Sequence, residues 1–398
     1  MGRIAPVKII MENKKLSFGI DEFIQYIPDH RKVRFGLLTN NAATTSAGVP
    51  GRSALLKAGC IITKLFSPEH GLTAKGEDGA FQNNIIDPLT NLPVISLYAE
   101  KLMPDENDLS DIDAVLFDIP DAGCRFYTYL WTMTYMMEAC AKFNKPLFIL
   151  DRPNPAGGNI NLSEGPMLDE QNCSSFIGRW NIPVRHSCTL GELANYFSAT
   201  KIKGLDLNIV KVQNWIREET AKSVTWFFVP PSPAITDVET ALLYPGMGLL
   251  EGINVNEGRG TSTPFKILGA PWINASDLQK KFLSLSIPGI SSRPVTYKPL
   301  SGMYMNEPCH GLQLSVTDAG SFRPVNTVFQ LICMLLFLYP GLCAERFYKT
   351  NVNPSGKNHL DKLTGLYQSF HKLKSGQITE ADYNNTRWKE IIQPYLLY

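Results

Sequence analysis

The chain has 398 residues, of which 44% are hydrophobic and 19% charged, and its formal net charge at pH 7 is +1. This length exceeds what one hydrophobic core usually holds, so we expect two domains. The balance of apolar and charged residues excludes extended disorder, and the near-zero net charge argues against nucleic acid and anionic membranes as partners.

The longest strongly apolar stretch, residues 331–339, is too short to span a bilayer and predicts a buried core helix. The N-terminal sequence MGRIAPVKIIMENKK lacks the long apolar segment and the small-residue cleavage site of a signal peptide. The sequence as it stands therefore predicts a cytoplasmic protein. A leader removed from it would instead indicate a periplasmic or secreted one.

The eight cysteines are scattered, without a C-x-x-C pair, and no histidine cluster has the spacing of metal ligands. Several of them, such as Cys140 and Cys333, lie in apolar runs. This pattern predicts small buried side chains in a disulfide-free protein, with no metal site. The chain also lacks G-x-G-x-x-G and Walker motifs and a nucleophile elbow, so we expect neither a nucleotide cofactor nor a triad hydrolase.

Strand-like and helix-like segments alternate over the first two thirds of the chain. The predicted strands are residues 32–40, 60–66, 93–98, 113–119, 146–150 and 207–212, and the predicted helices are residues 52–58, 127–143 and 189–197. Apolar strands that alternate with helices predict an α/β fold, in which a mostly parallel sheet is covered on both faces.

The proline-rich turn at residues 229–235 predicts a domain boundary. We expect an N-terminal domain of residues 1–236 and a smaller α+β C-terminal domain of residues 237–398 that closes over a cleft. The pattern of this second part is less regular. It predicts a buried helix near residues 325–338, an amphipathic helix near residues 360–374 and a last helix that starts after Thr379.

Polar turns shaped by proline or glycine follow four of the predicted strands. They are Thr39-Asn40-Asn41, Ser67-Pro68-Glu69-His70-Gly71, the segment from Asp118 to Tyr127, and Asp151-Arg152-Pro153-Asn154-Pro155. Ligands of open parallel sheets bind beyond the carboxyl ends of the strands. The turns together therefore predict a site at this edge of the sheet.

Glu69 is the sharpest candidate for a catalytic group. Pro68 restricts the backbone before it, and Gly71 permits a tight turn after it. A carboxyl group at the rim of a cleft can be partly desolvated, which raises its pKa as a general acid requires. The alternative is a glutamate that caps a helix or pairs with an arginine. The adjacent His70 either orients a carboxylate, binds a sugar hydroxyl or is structural.

Three arginines in turn-like contexts, Arg125, Arg152 and Arg259, can each clamp a carboxylate with two parallel hydrogen bonds, or are ordinary surface residues. Tyr127, with its aromatic neighbours, either stacks on a sugar ring or begins a core helix.

Beyond the proline turn, charges lie among glycines in Glu251-Gly252-Ile253-Asn254 and in Glu257-Gly258-Arg259-Gly260-Thr261. That composition favours a binding loop over a core segment, although a solvated surface loop is the alternative.

The motifs FSPEHGL, DAGCRFYTYLWTM, LDRPNPAGG, TLGELANYF and LLEGINVNEGRGTSTPFKILGAPW occur in this order. They resemble a family once described only as a domain of unknown function and now known as the NamZ-type exo-β-N-acetylmuramidases. The resemblance covers residues 35–324 and implies a Rossmann-like N-terminal domain, a smaller C-terminal domain and an active site between them. It implies release of N-acetylmuramic acid from the non-reducing ends of peptidoglycan fragments such as MurNAc-GlcNAc, with Glu69 of the P-E-H-G motif as the catalytic glutamate.

Given this resemblance, we expect Glu69 to protonate the leaving oxygen, with His70 beside it and with Asp151 or an acid of the second domain assisting. The second carboxylate stays open among Asp118, Asp121, Asp151, Glu251 and Glu257, and the 2-acetamido group of the substrate is an alternative nucleophile. The expected substrate-binding residues are Asn40, Asp118, Arg125, Tyr127, Arg152, Glu251, Asn254, Glu257 and Arg259, with one of the arginines on the lactyl carboxylate.

Two rival interpretations use the same crevice. One is a non-catalytic protein that binds peptidoglycan or another sugar, and the other is a different carbohydrate-active enzyme, such as a glycosyltransferase or a deacetylase. The missing metal-ligand spacing and phosphate loop disfavour the second, and fold analogy alone does not separate these classes.

Overall fold

The computed structural model describes residues 15–76, 79–80, 83–219, 227–384 and 386–398. Within these residues, seven strands form one sheet in the order β3-β4-β2-β1-β5-β6-β7. Every neighbouring pair is parallel except β3 and β4. The strands are β1 (Arg34–Thr39), β2 (Ile61–Ser67), β3 (Ile85–Ile86), β4 (Pro93–Ser96), β5 (Ala114–Asp118), β6 (Leu147–Leu150) and β7 (Leu207–Val210).

Helices cover both faces of this sheet, as the alternating pattern predicts. They are α1 (Gly19–Tyr26), α2 (Gly51–Lys57), α3 (Glu106–Leu109), α4 (Tyr129–Lys142) and α5 (Leu190–Thr200). Successive side chains of β5 enter two separate cores: Val115 and Phe117 pack with α4 and α5, and Leu116 packs with α1 and α2. We call the sheet with these five helices the large-sheet domain.

A second, smaller sheet follows, and it is antiparallel in the order β8-β10-β9. Its strands are β8 (Ile267–Ala270), β9 (Ile290–Tyr297) and β10 (Cys309–Val316). The helices of this region are α6 (Val238–Met247), α7 (Ala275–Ser284), α8 (Pro324–Leu338), α9 (His359–Thr364) and α10 (Ser369–Lys374), and with the sheet they form the small-sheet domain. The last helices are α11 (Glu380–Tyr383) and α12 (Thr386–Ile392).

The amphipathic segment predicted as one helix at residues 360–374 is two helices. Gly365 ends α9 with a left-handed backbone, φ 77°. A Cβ atom at this position would lie 2.6 Å from the guanidinium of Arg125. Glycine is therefore required twice here, by its backbone conformation and by the side chain packed against it.

Buried hydrogen bonds join the two domains. The Glu164 carboxylate accepts bonds from the backbone N–H groups of Val325 and Asn326 in the first turn of α8. The chain then returns to the large-sheet domain, where the indole N–H of Trp388 donates to the carbonyl of His186. The proposed division at residue 236 stays a prediction.

The thiols of the eight cysteines are free, and seven of them are buried as the apolar runs predict. The prediction is wrong for Cys333, which is exposed on α8, although its thiol lies 3.8 Å from the carbonyl oxygen of Leu373 in α10. Much of the apolar stretch at residues 331–339 is buried in α8, although Phe337 is 75% exposed. None of the helices in the described part of the chain combines the length and the apolar character needed to cross a membrane.

Candidate active site

A cavity that is partly open to solvent lies between the two domains. The large-sheet domain contributes the turn after β2 and the residues that lead into α4. The small-sheet domain contributes the loops that follow α6 and precede α9, together with α9 itself. The polar and aromatic residues that line the cavity include Glu69, His70, Tyr98, Tyr127, Thr128, Ser232, Tyr244, Glu251, Arg259, Tyr348, Asn353, His359 and Lys362.

Glu69 reaches the cavity because the chain turns sharply at the carboxyl end of β2. His70 and Gly71 both have left-handed backbones, with φ of 65° and 67°. A left-handed backbone costs a residue other than glycine, such as histidine, about 1 kcal/mol. Hydrogen bonds at both ends of the loop hold His70 in this conformation. The His70 Nδ1–H donates to the carbonyl of Gly76 at 2.8 Å, and the Gly76 N–H donates to the carbonyl of His70.

The Glu69 carboxylate is held in one orientation, with only 5% of the residue exposed. Its Oε1 atom accepts a bond from the N–H of Gly79 at 3.0 Å, and its Oε2 atom accepts one from the hydroxyl of Thr128 at 2.6 Å. Thr128 is the residue before α4, so the turn after β2 and the start of α4 are coupled through this carboxylate. A group fixed in this way is positioned without further loss of side-chain entropy when substrate binds.

Aromatic rings form one wall of the cavity. Tyr127 packs edge-on against Tyr129 and Tyr244, at ring-centroid distances of 4.7 Å and 6.0 Å. Burial raises the pKa of Tyr127 well above its ordinary value. An apolar aromatic wall of this kind suits the C–H groups of a sugar ring.

The small-sheet domain brings a second carboxylate, Glu251, into the cavity. It lies in a short 3₁₀ helix, Gly248–Gly252, and its Oε1 atom accepts bonds from the Nε and terminal N–H groups of Arg259 at 2.9 Å and 2.7 Å. Arg259 also lies 3.3 Å from Glu257, which is buried behind the cavity wall and pairs with Arg346 as well. Two carboxylates therefore share the positive charge of Arg259.

Arg125 does not reach the cavity. Its guanidinium is fully buried and donates to the carbonyls of Pro166 and Ile182, both at 2.7 Å, and of Leu363 at 2.9 Å. Burial lowers its pKa to about 10. Because three carbonyls already surround it, this arginine joins the two domains and is not placed to bind a substrate carboxylate.

Asn40, Asp118 and Arg152 lie at the carboxyl ends of β1, β5 and β6, but they are not among the residues that line the cavity. Arg152 donates through Nε to Asp118 Oδ1 at 2.7 Å, and through a terminal nitrogen to the carbonyl of Thr44. Burial raises the pKa of Asp118 despite this pairing. Asn40 accepts a bond from the N–H of Ala42. These side chains shape the loops behind the active-site turn.

Asp151 and Asn254 are likewise structural in their contacts. The oxygens of Asp151 accept bonds from the N–H of Gly191 and from the hydroxyls of Thr189 and Tyr398. Burial raises the pKa of Asp151 to about 6. The Asn254 amide donates to the carbonyl of Leu342 and accepts from the N–H of Ala344. Asp121, the remaining acid considered, accepts a bond from the N–H of Gly123.

Sequence reasoning missed several polar residues of the cavity, above all Thr128, Asn353 and Lys362. Thr128 lies within a motif that we interpreted through its aromatic residues alone. Lys362 lies in an amphipathic segment where a lysine is unremarkable. No local pattern marks either residue, because each reaches the cavity through tertiary packing.

A fixed carboxyl group, a second carboxylate and an aromatic wall in one crevice between two domains are the features of a glycoside hydrolase site. The chain matches the family description "Exo-beta-N-acetylmuramidase NamZ, N-terminal" over residues 35–239 and its C-terminal counterpart over residues 242–398. It therefore belongs to the NamZ family and is an exo-β-N-acetylmuramidase. The interpretations as a non-catalytic binding protein, a glycosyltransferase or a deacetylase are set aside.

Individual relatives agree with this assignment. The peptidoglycan beta-N-acetylmuramidase NamZ of Bacillus subtilis (strain 168) is 39% identical over 394 residues, which are 96% of this chain and 92% of that protein. Two crystal structures of DUF1343 family proteins from Bacteroides fragilis have the same fold. One has a TM-score of 0.84 at 27% identity and covers 96% of this chain and 99% of its own. The other has a TM-score of 0.72 at 25% identity and covers 97% and 99%.

Proposed function

We propose that this enzyme releases N-acetylmuramic acid from the non-reducing end of peptidoglycan-derived saccharides such as MurNAc-GlcNAc, with Glu69 as the general acid. The observation that carries the proposal is the position of Glu69 in the inter-domain cavity, where the N–H of Gly79 and the hydroxyl of Thr128 fix its carboxyl group. The peptidoglycan named for the Bacillus subtilis relative supports the substrate class.

In the proposed reaction, Glu69 donates its proton to the glycosidic oxygen as the bond from the anomeric carbon to that oxygen breaks. Positive charge then develops on the sugar ring, and a second group must stabilise or trap it. Among the residues that the structure describes, Glu251 is the other acid that lines the cavity, whereas Asp118, Asp121, Asp151 and Glu257 do not. We therefore assign the assisting role to Glu251, which Arg259 holds in place.

The direct test is incubation with the disaccharide MurNAc-GlcNAc, with products identified by mass and by anomeric NMR. We expect free N-acetylmuramic acid and N-acetylglucosamine from the unmodified enzyme and neither from Glu69→Gln. The matched control is Glu106→Gln, which makes the same change on the exposed side of α3 and should keep full activity. Equal product release by Glu69→Gln would overturn the assignment, and the NMR spectrum reports retention or inversion at the anomeric carbon.

A further inference from the structure

Among the described residues that line the cavity, one cation has no acid to balance its charge. Among the described lining residues the cations of the Lys/Arg type are Arg259 and Lys362. Arg259 is close to two carboxylates, those of Glu251 and Glu257. Within the described part of the chain, Lys362 has no carboxylate partner, and its ammonium donates to the neutral amide oxygen of Asn353 at 2.7 Å.

The contact between Lys362 and Asn353 is organised by the protein. The Asn353 amide nitrogen donates to the carbonyl of Tyr348 at 3.2 Å, so its Oδ1 atom is the one that faces the ammonium. The backbone N–H of Asn353 donates to the Thr350 hydroxyl at 3.0 Å and anchors the same loop. The lysine itself lies in α9, which positions its Cα atom on a rigid element.

The surroundings of Lys362 disfavour the charged, protonated form of its side chain. Burial lowers the pKa of Lys362, and no neighbouring acid opposes that effect. Lys266 makes an internal comparison: burial acts on it as well, yet the hydrogen bonds and charges of Asp237 and Glu239 raise its pKa. A half-buried ammonium without a counter-ion gains the most from a ligand that supplies a negative charge.

We propose that Lys362 is a specificity-determining residue, whose ammonium binds the lactyl carboxylate that distinguishes N-acetylmuramic acid from N-acetylglucosamine. The inference rests on the proposed function, because it assumes that the muramic acid ring occupies this cavity. It replaces our expectation of an arginine in that role: Arg125 and Arg152 lie outside the cavity, and two acids already compensate Arg259. An ammonium is a point charge, so it can bind the carboxylate without the bidentate geometry that a guanidinium requires.

The test compares two sugars in two measurements. Calorimetry gives the Kd of free N-acetylmuramic acid and of N-acetylglucosamine, and hydrolysis of the two p-nitrophenyl β-glycosides gives kcat/KM. We expect the unmodified enzyme to prefer the muramic compounds, and Lys362→Met to lose about 10- to 100-fold of that preference in both measurements. Lys362→Gln removes the charge but keeps a donor for Asn353, and it should lose as much. Lys362→Arg should retain most of the preference.

The matched control is Lys357→Met, which removes a lysine from an exposed position on the loop before α9 and should keep the preference of the unmodified enzyme. The proposal is overturned if Lys362→Met and Lys362→Gln keep the preference, if they weaken binding of both sugars equally, or if the unmodified protein shows no preference in binding. An enzyme that binds N-acetylmuramic acid through Lys362 but hydrolyses neither glycoside would contradict the proposed function and leave the lysine assignment standing.

Discussion

The hydroxyl of Thr128 donates to the Oε2 atom of Glu69 at 2.6 Å, so the residue that precedes α4 fixes the carboxyl group at the end of β2. Both residues are buried, at 7% and 5% exposure. We expect Thr128→Val, which keeps the side-chain volume, to lower kcat about 10-fold with little change in KM, because it loosens a group that acts in the transition state. Thr128→Ser keeps the hydroxyl and should be close to the unmodified enzyme. Equal losses in the two variants would show that the methyl group matters instead.

Because we assign Glu69 as the general acid, we expect the loss of activity in Glu69→Gln to depend on the leaving group of the substrate. A dinitrophenyl leaving group departs without protonation, whereas a sugar or an alkyl alcohol does not. We expect Glu69→Gln to lose about 10²–10⁴-fold in kcat/KM on an alkyl muramic acid glycoside and much less on the dinitrophenyl glycoside. Steady-state kinetics on both substrates provides the measurement. Near-normal turnover of the alkyl glycoside would rule out the acid role.

Arg125 should matter for stability and not for recognition. Arg125→Met leaves the carbonyls of Pro166, Ile182 and Leu363 buried without their donor. We expect a loss of about 2–4 kcal/mol in the free energy of unfolding, measured with urea. The preference for muramic over glucosamine substrates should stay unchanged. Arg31→Met, at an exposed position, is the control and should alter neither quantity. A shift in substrate preference without a loss of stability would instead show that Arg125 takes part in substrate binding.

Glu164 should make stability fall as the pH rises. Burial raises the pKa of Glu164 to about 7, although Arg185 and the N–H groups of Asn326 and Val325 oppose the shift. The folded protein then binds this proton more tightly than the unfolded chain, so the contribution of this group to stability decreases between the unfolded pKa and about pH 7. Asp151, with a pKa raised to about 6, acts in the same direction.

The measurement is the free energy of unfolding of the unmodified protein and of Glu164→Gln at pH 5 and pH 8. The unmodified protein should lose stability relative to the variant on going from the lower to the higher pH, because only its residue 164 must ionise in a buried site. Asp151 is common to both proteins and cancels in the difference. The same difference at both pH values would contradict the raised pKa.

Much of the large-sheet domain can be predicted from the sequence because its strands and helices are buried. Continuous apolar runs predict β5 and α4 to within two residues at each end, since both are enclosed by other elements. The small sheet lacks that signal. Strand β9 has no buried residue and contains Pro294, so it has no apolar run to detect. The segment of α9 and α10 appears as one helix because its period continues across Gly365.

The residues of the candidate site can likewise be predicted from the sequence only in part. The strand-end rule leads to Glu69 and His70, which do line the cavity, and equally to Asp118 and Asp151, which do not. The sequence indicates where a polar turn follows a strand, but the direction of each side chain depends on its hydrogen-bond partners. Asp151, for example, turns toward the start of α5 because the N–H of Gly191 is available there.

The bonds between the two domains have a mechanical consequence. Arg125 reaches α9 and Glu164 reaches α8, and both groups are buried at the junction. A hinge motion that separated the domains would break the bond from Arg125 to Leu363 and the bonds from Val325 and Asn326 to Glu164, at a cost of about 1.5–3 kcal/mol for each of these charged hydrogen bonds. We therefore expect both domains to unfold in one cooperative transition. We also expect the crevice to be formed already when the end of the saccharide binds.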